Sequence, residues 1–588
     1  MSNEQGSEST VSRRQIMKEE EMAKEKEASK KLSRREFVKG AAAVAGAGAL
    51  AGCAPAATPA PAPTCPPAPE CPPAPECAPC PVPGVPETWD EEADMLIIGT
   101  GSAGQMAAIE AHDKGAKVLL VEMAPSPYFS ESSCCGANAS IPGNPWQIEE
   151  GILDDSPDLL YEDMRRVGKY SNYDPVLRLF VDNELEAFER FWELGAEAYG
   201  TKNIGGHSRK RVVMHVNRQC QEALYDQIRE RGISTLFNTR ATRLVVDPTT
   251  GGGLGVEAMK GVTYSADDLD YVGGEKVFLK GKVTVLATGG MCGNPEMLKK
   301  YVPRVVALAA WAEPGGPGGR TLPEGPARAL GLGDGYKMGM DIGADTTHMY
   351  CITMYCGTPV GPEAPDFGRT QTPSFKTVPS DNNYGVIVVN KEGKRFANEY
   401  MAPCEVGEAM VLQTDKCMFL LADKGVYEAC LADPTGSKWT PEILELVEDE
   451  KIPVWYGDTI EELATNAGID PGNLKETLAN WNRYVDQGID PEFGRPFEPP
   501  FNAYKLETPP FVAIRYVITP LHNGGGLRVN DRLQVLDVYG NVIPGLYGAG
   551  EVVGGTAGEV YLSTTHWPVA VTFGYLVGKK LAIEEALA

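Results

Sequence analysis

Three glycines at G-x-G-x-x-G spacing carry the clearest chemistry in the sequence. Gly99, Gly101 and Gly104 follow a short apolar run at 94–98 and precede a helix-like stretch that ends at Gly115. In a strand–turn–helix unit, the first glycine permits a tight turn, the second lets the backbone approach a pyrophosphate, and the third lets the helix pack on the strand. This spacing predicts a dinucleotide site, and the alternative is a glycine-rich turn without a ligand.

The residues around this turn fit the same interpretation. Ser102 and Ala103 begin the predicted helix, whose free N–H groups and positive end favour a phosphate. The run 117–121 predicts a second buried strand, which ends in Glu122 and is followed by Met123. A carboxylate at this distance from the glycines is placed to accept hydrogen bonds from ribose hydroxyls. Two strands and the helix between them must therefore position the site.

The length and charge of the chain narrow its class. A chain of 588 residues is longer than one hydrophobic core normally supports, so we expect at least two folded domains. Lys and Arg total 54 and Asp and Glu total 80, which gives a net charge of −26. Because nucleic acids repel such a polyanion, we expect no nucleic-acid partner.

The N-terminal region predicts export. Residues 1–31 are charge-rich and predict a disordered extension, and residues 32–53 combine Arg34 and Arg35 with a short Ala/Gly-rich apolar run. This pattern resembles a twin-arginine signal, and the run is too short to span a membrane. Cys53 ends a lipobox-like sequence, so we expect a lipid anchor there. Cleavage at 49–51, which would release a soluble protein, is the alternative. Both place the protein in the periplasm or on the outer face of the cytoplasmic membrane.

A proline- and cysteine-rich linker, 54–88, separates this signal from the folded part. Its composition favours an extended, semi-rigid spacer. Cys77 and Cys80 have C-x-x-C spacing, but Pro81 stands where a c-type haem site needs His. Disulfides are favoured over metal binding in an oxidising compartment, and we expect no metal.

Later motifs give the site a family resemblance. They are Ser133-Cys134-Cys135-Gly136-Ala137-Asn138-Ala139, Ala287-Thr288-Gly289-Gly290, Gly333-Asp334-Gly335 and Pro544-Gly545-Leu546-Tyr547-Gly548-Ala549-Gly550-Glu551. The sequence resembles the FAD-dependent oxidoreductase 2 family, which includes fumarate reductase flavoproteins and 3-ketosteroid dehydrogenases. Two glycines of the family's flavin loop are replaced by Cys134 and Cys135. The resemblance covers nearly everything from residue 94 onward and implies FAD as the cofactor.

The resemblance also implies an architecture and a set of cofactor-binding residues. We expect an α/β fold with a Rossmann-like FAD-binding domain of the GR2 type at 89–345 and 505–588. An α+β capping domain at 346–504 would be inserted into it. The residues expected at FAD are Gly99, Gly101, Ser102, Ala103, Gly104, Glu122, Met123, Ser133, Gly136, Ala241, Ala287, Thr288, Gly289, Asp334, Gly550, Glu551 and Leu562.

The sequence departs from the family where fumarate reductases bind and protonate their substrate. Pro403 stands in place of a catalytic Arg, Tyr561 in place of a carboxylate-binding Arg, and Tyr355 lies where the family's substrate-binding His is expected. The family's His-His pair keeps only His522. Because a dicarboxylate needs fixed cationic donors, fumarate reduction is not expected. Phenols and aromatic rings suit an uncharged enone or steroid-like substrate, so Tyr561, Tyr355 and His522 are the candidate catalytic residues.

The leading hypothesis is a flavoenzyme that transfers a hydride between flavin N5 and an activated C–C bond, in the direction of reduction. Dehydrogenation of the same substrate class is one alternative, and a non-catalytic FAD protein for electron transfer or binding is another. The sequence carries no haem motif or flavin-carrier domain. An external electron donor is therefore expected, either a cytochrome or a quinol-linked membrane protein.

Overall fold

The computed structural model describes residues 84–588, except 266–269, 304–318, 323–324, 330, 358–385, 433–438, 440, 451 and 498–502. The predicted export signal, Cys53 and the cysteines of the linker lie outside the described residues. The described residues fall within one compact unit.

The strands are numbered in chain order. They are β1 (Glu91–Ile98), β2 (Val118–Val121), β3 (Asn138–Ser140), β4 (Ala198–Lys202), β5 (Val212–His215), β6 (Ser234–Leu236), β7 (Thr239–Val246), β8 (Gly253–Lys260), β9 (Thr263–Ser265), β10 (Asp270–Val272), β11 (Glu275–Leu286), β12 (Gly319–Leu322), β13 (Gly325–Ala329), β14 (Thr346–Thr347), β15 (Ile352–Gly357), β16 (Ile387–Val389), β17 (Cys417–Ala422), β18 (Val454–Gly457), β19 (Phe511–Asn523), β20 (Gly526–Leu527), β21 (Gln534–Leu536) and β22 (Val542–Gly548).

The α-helices are numbered in the same way. They are α1 (Ser102–Asp113), α2 (Pro145–Glu149), α3 (Pro157–Val167), α4 (Asp174–Glu193), α5 (Asn217–Glu230), α6 (Pro295–Tyr301), α7 (Asp334–Asp341), α8 (Pro403–Val411), α9 (Lys424–Ala432), α10 (Pro441–Glu448), α11 (Ile460–Ala467), α12 (Pro471–Gln487), α13 (His566–Leu576) and α14 (Ile583–Leu587). No helix among the described residues is long and apolar enough to cross a lipid bilayer.

The main sheet carries the predicted nucleotide motif. Among the described residues its strands follow the order β21-β22-β11-β1-β2-β6, with β8 paired to β11 and β7 to β8. The strands β22, β11, β1, β2 and β6 run parallel to one another, whereas β21 on β22 and β8 on β11 are antiparallel. Every residue of β2 is buried, as a parallel strand covered on both faces requires. The unit β1–α1–β2 thus places the glycine turn at the carboxyl edge of a parallel sheet.

A second sheet is antiparallel. It has the order β15-β19-β17-β16, with β18 also paired to β19. Four of its strands lie within 346–504, but β19 begins beyond residue 504, where the sequence places the end of the capping segment. Residues of β17 pair with residues of β19 across this boundary, for example Cys417 with Val517. The longest described strand of the second sheet therefore comes from the C-terminal part of the chain.

Two helices pack on the main sheet through small residues. In α13, a Cβ on Gly574 would lie 2.2 Å from the carbonyl oxygen of Ala103 in α1. One turn further on, a Cβ on Gly578 would lie 2.3 Å from the carbonyl oxygen of Ala107. The backbones of the two helices are therefore in direct contact, and only glycine fits at these crossings.

Candidate FAD site and reactive end

The glycine turn between β1 and α1 is closed by backbone contacts. Gly99 has φ +108°, and a Cβ there would lie 2.3 Å from the Ala287 carbonyl oxygen. A Cβ on Gly104 would lie 1.9 Å from the Gly99 carbonyl oxygen, so this glycine lets the helix sit against the turn. The α1 N-cap, Gly101, makes no side-chain capping hydrogen bond. The helix start is thus presented to the space in front of the sheet, where it can bind an anion.

Glu122 lies at the carboxyl end of β2 with its carboxylate buried. It accepts hydrogen bonds from the Thr100 N–H (2.9 Å), the Thr100 hydroxyl (2.7 Å) and the Ala124 N–H (2.9 Å). Burial raises the pKa of Glu122, although these hydrogen bonds work in the opposite direction. Glu122 therefore links the glycine turn to the end of β2 through hydrogen bonds. It also lines a cleft in front of the sheet.

A single cleft joins the scattered motifs. It encloses about 1150 Å³ of non-protein space, part of it open to solvent. The sequence-predicted residues that line it are Gly99, Gly101, Ala103, Glu122, Met123, Ala241, Ala287, Thr288, Gly289, Asp334, His522, Gly550 and Glu551. The fold thus brings together residues separated by more than four hundred positions in the chain.

Other predicted cofactor residues lie behind this lining. The Ser102 hydroxyl accepts hydrogen bonds from Gln221 Nε2 (2.9 Å) and Trp567 Nε1 (3.0 Å), so it braces the walls of the cleft. The Ser133 hydroxyl donates to the Pro127 carbonyl (3.2 Å). Leu562 is buried within the core.

Two predicted glycines also lie off the lining. Gly104 lies beneath the turn, packed on Gly99, and Gly136 is exposed. These positions shape the loops around the cleft and do not face it.

The two predicted catalytic tyrosines have different surroundings. Tyr355 lies in β15, where its backbone pairs with Thr519, and its side chain is outside the described residues. Tyr561 is buried beside the cleft, and its ring packs edge-on to His522 with ring centroids 4.9 Å apart. The Tyr561 hydroxyl accepts hydrogen bonds from the backbone N–H groups of Thr564 (2.7 Å) and His566 (3.4 Å). Burial raises the pKa of Tyr561, so the phenol keeps its proton at neutral pH.

His566, which the sequence motifs do not single out, lies beside His522. Both imidazoles line the cleft, and their ring centroids are 4.5 Å apart. Nitrogen atoms of the two rings and a carboxylate oxygen of Glu551 all lie within 4.8 Å of one another. Burial lowers the pKa of His566 to about 4, against a rise caused by Glu131. At neutral pH His566 is therefore an uncharged imidazole.

The cleft has further unpredicted lining residues, among them Trp567, Phe129 and Glu131. His566 and Trp567 are the first two residues of α13, and no sequence motif marks them. Phe129 and Glu131 lie in two short 3-10 helices, Pro127–Phe129 and Glu131–Cys134, and neither residue belongs to a recognised motif.

The motif Gly393-Lys394-Arg395-Phe396-Ala397-Asn398-Glu399 forms a structural cluster. Arg395 Nη2 lies 2.9 Å from a carboxylate oxygen of Glu399 and 2.9 Å from one of Asp490. Arg495 Nη1 lies 3.3 Å from Glu399. These side chains are almost completely buried and neutralise one another, so the motif holds α12 and the second sheet together. Pro403, which replaces the family's catalytic Arg, is the first residue of α8.

The lining suits an FAD molecule. The positive end of α1, where the Ser102 N–H donates to the Ser132 hydroxyl (3.0 Å), provides for the pyrophosphate. A buried carboxylate lies beside the place for a ribose, and alanine and glycine backbone leaves room for flat rings. Gly290 must lack a side chain, because a Cβ there would lie 2.4 Å from a carboxylate oxygen of Glu551. These residues would hold the cofactor through its phosphates and ribose and would leave the His522–His566 end for chemistry.

Comparisons with known proteins agree with this assignment. The FAD binding domain family model matches residues 94–563. A fumarate reductase (cytochrome) of Shewanella frigidimarina is 27% identical over 515 residues, which cover 84% of this chain and 77% of that protein. A vinyl phenol reductase of Lactiplantibacillus plantarum is 25% identical over 483 residues, which cover 80% of this chain and 91% of that protein.

A solved structure shows the same fold. The 3-ketosteroid-Δ4-(5α)-dehydrogenase of Rhodococcus jostii RHA1, in complex with 4-androstene-3,17-dione, matches with a TM-score of 0.65 and 22% identity. The match covers 84% of this chain and 98% of that one. The expected resemblance to fumarate reductase flavoproteins and steroid dehydrogenases is confirmed, as is the expected FAD cofactor. The chain belongs to the FAD binding domain family and is an FAD-dependent oxidoreductase.

Proposed function

We propose that this protein reduces the activated C=C bond of an uncharged α,β-unsaturated substrate, such as an enone, a steroid enone or a vinyl arene. One observation carries the proposal: among the described residues that line the cleft, the cationic side chain is Arg240, and it is already paired. Arg240 donates to both carboxylate oxygens of Asp334, at 2.8 and 3.0 Å. No free guanidinium among these residues is available to bind a substrate carboxylate.

The surroundings of the reactive end agree with an uncharged substrate. Neutral His566, His522, Glu551 and the indole of Trp567 line the cleft here, and the protonated phenol of Tyr561 packs against His522. Among the relatives, the vinyl phenol reductase is named for a conjugated substrate without a carboxylate. Such a surface contributes hydrogen bonds and aromatic contact area but no fixed positive charge.

The positions of the residues at the reactive end assign a separate role to each of them. Bound FAD supplies hydride transfer at N5. The N-terminus of α13 faces the cleft and favours negative charge next to it. His522 lies where it can polarise a substrate oxygen or hold a proton, and Tyr561 holds the start of α13 through its hydroxyl. The catalytic role expected for Tyr355 stays a prediction, because its side chain lies outside the described residues.

We also propose that the protein works outside the cytoplasm and receives electrons from a separate carrier. The arginine pair Arg34-Arg35 and Cys53 support export and a lipid anchor, and the relative from Shewanella is named as a cytochrome-type enzyme. Replacing both arginines by lysine is expected to leave the protein in the cytoplasm. Fractionation of cells that express each form measures this, and unchanged export would exclude the twin-arginine route.

The substrate class can be tested with the reduced holoprotein. Methyl viologen reduces the flavin under anaerobic conditions, and reoxidation is then followed with 2-cyclohexen-1-one, 4-androstene-3,17-dione, 4-vinylphenol and fumarate. We expect at least one of the three uncharged compounds to reoxidise the flavin faster than fumarate. Rapid reoxidation by fumarate alone would contradict the proposed substrate class. Reoxidation by none of them would favour a non-catalytic FAD protein.

A further inference from the structure

We propose that His522 and His566 form a proton-transfer pair at the reactive end of the cleft, and that Tyr561 is the residue that positions His566. This inference rests on the proposed function and adds the identity of the group that moves the proton. It assigns a role to His566, which belongs to no motif in the sequence. It also changes the expected role of Tyr561 from proton donor to support.

The first argument is geometric. The two imidazoles come from different elements, His522 from the end of β19 and His566 from the first turn of α13, yet their ring centroids are 4.5 Å apart at an interplanar angle of 55°. Both line the cleft. Two imidazoles at this distance can share one proton, either directly or through one bridging oxygen atom. If both imidazoles were protonated, their positive charges would repel each other.

The second argument is the environment of the pair. The carboxylates of Glu551 and Glu131 and the phenol of Tyr561 are the titratable groups that the described elements turn towards it. Glu551 and Glu131 favour a positive charge on the pair, and burial opposes it, so His566 is uncharged until negative charge develops on a substrate beside it. A general acid works best when its proton is neither too tightly nor too loosely held.

The third argument concerns Tyr561. Its hydroxyl oxygen already accepts the N–H groups of Thr564 and His566, and Thr564 has a left-handed backbone at φ 72°. The phenol thus stabilises a strained turn that leads directly into His566. This arrangement fixes where the His566 imidazole points.

The chemical step balances as follows. Hydride adds to the β-carbon of an enone, and the π electrons move to the carbonyl oxygen to give an enolate. The α-carbon of the enolate then forms a C–H bond with the proton of an imidazolium, whose N–H bond breaks. The pair is neutral at rest, takes up that proton from bulk solvent as negative charge develops on the enolate, and is neutral again once the C–H bond has formed.

A nitroalkene separates hydride transfer from this protonation. With 1-nitrocyclohexene, hydride addition gives a nitronate, which is a stable anion that needs no immediate proton. The loss of a general acid should therefore spare nitroalkene reduction and block enone reduction.

The test uses purified holoprotein, wild type and with His566→Asn, His522→Asn or His207→Asn. His207 is a matched control: burial likewise lowers its pKa to about 4, but it bonds to the Ser563 carbonyl (3.0 Å) and does not line the cleft. Each protein is assayed for FAD content, flavin reduction by methyl viologen, and reoxidation by 2-cyclohexen-1-one and by 1-nitrocyclohexene.

For His566→Asn and His522→Asn we expect unchanged FAD content and viologen reduction. Reoxidation by 2-cyclohexen-1-one should slow by about 100-fold or more. Reoxidation by 1-nitrocyclohexene should persist within a few-fold, with nitronate released as the product. His207→Asn should behave like the wild type with both probes.

Three results would overturn the pair. They are wild-type enone rates in both histidine variants, equal slowing with both probes, and a bound divalent metal in the wild type that His566→Asn loses. If wild-type protein is reoxidised by neither probe, the proposed function itself fails, and the pair fails with it. The histidine variants are therefore interpreted only against a wild type that turns over.

Discussion

Replacing Tyr561 by Phe tests how the reactive end is held in place. The substitution removes the hydroxyl oxygen that accepts N–H groups from Thr564 (2.7 Å) and His566 (3.4 Å). The ring would remain packed against His522, so the change acts mainly on hydrogen bonding. The His566 N–H is buried and the Thr564 N–H is half-buried, so the substitution leaves both donors without their present acceptor.

The expected loss follows from these two contacts. A buried N–H left without a partner costs about 1–3 kcal/mol, and the 2.7 Å bond from Thr564 is the shorter and stronger of the two. We therefore expect the free energy of unfolding to fall by about 1–3 kcal/mol, measured by urea unfolding of the FAD-loaded protein. Reoxidation by an enone should slow because His566 is displaced. Reoxidation by a nitroalkene should slow as well, because the disturbed start of α13 also affects the hydride transfer that both substrates need.

Two results would contradict this reasoning. A change in stability below about 0.5 kcal/mol would show that the hydroxyl does not support the turn. Normal stability combined with loss of enone turnover alone would show that the phenol donates the proton, as the sequence analysis proposed.

Three further predictions concern the cofactor site and the pH dependence of folding. Gly104→Ala should abolish FAD retention, measured by flavin absorbance after gel filtration, because its Cβ would lie 1.9 Å from the Gly99 carbonyl oxygen. Glu122→Gln should weaken FAD binding by about tenfold or more in a fluorescence titration, since hydrogen bonds to a charged acceptor contribute about 1.5–3 kcal/mol. Stability should fall as the pH drops from about 6.5 to 4, because burial lowers the pKa of His215 and His566 to about 4 in the folded state while the unfolded state takes up protons near 6.5. Urea unfolding at several pH values measures this, and stability that is constant over the range would contradict it.

The turn between β1 and α1 could be predicted from the sequence because its determinants are local. The spacing of Gly99, Gly101 and Gly104 already specifies a backbone turn and a helix start. Ala287 and Gly550 could be assigned to the cofactor site only because the motifs that contain them resemble motifs of a known family. Nothing in the sequence around either residue shows that the sheet brings them to the same cleft. The order β22-β11-β1 does so.

The reactive end was harder to predict for a physical reason. His566 and Trp567 open a helix that is apolar on all sides, so periodicity gave no indication of which side faces a cofactor. Their role depends on the meeting of β19 and α13, a tertiary contact without a local signature. For the same reason, the pairing of β19 with the second sheet could not be predicted from the sequence, which placed the end of the capping segment at residue 504.

The glycine crossings of α1 and α13 have a consequence for changing this protein's specificity. Because Gly574 and Gly578 seat one backbone on the other, any shift of α13 that moves His566 also pushes on the helix that presents Ser102. The cofactor grip and the proton-transfer geometry are mechanically coupled and cannot be adjusted one at a time. New substrates are therefore best accommodated by changes in β16, β17 and β18 of the second sheet, which leave α1, α13 and the His522-bearing strand β19 in place.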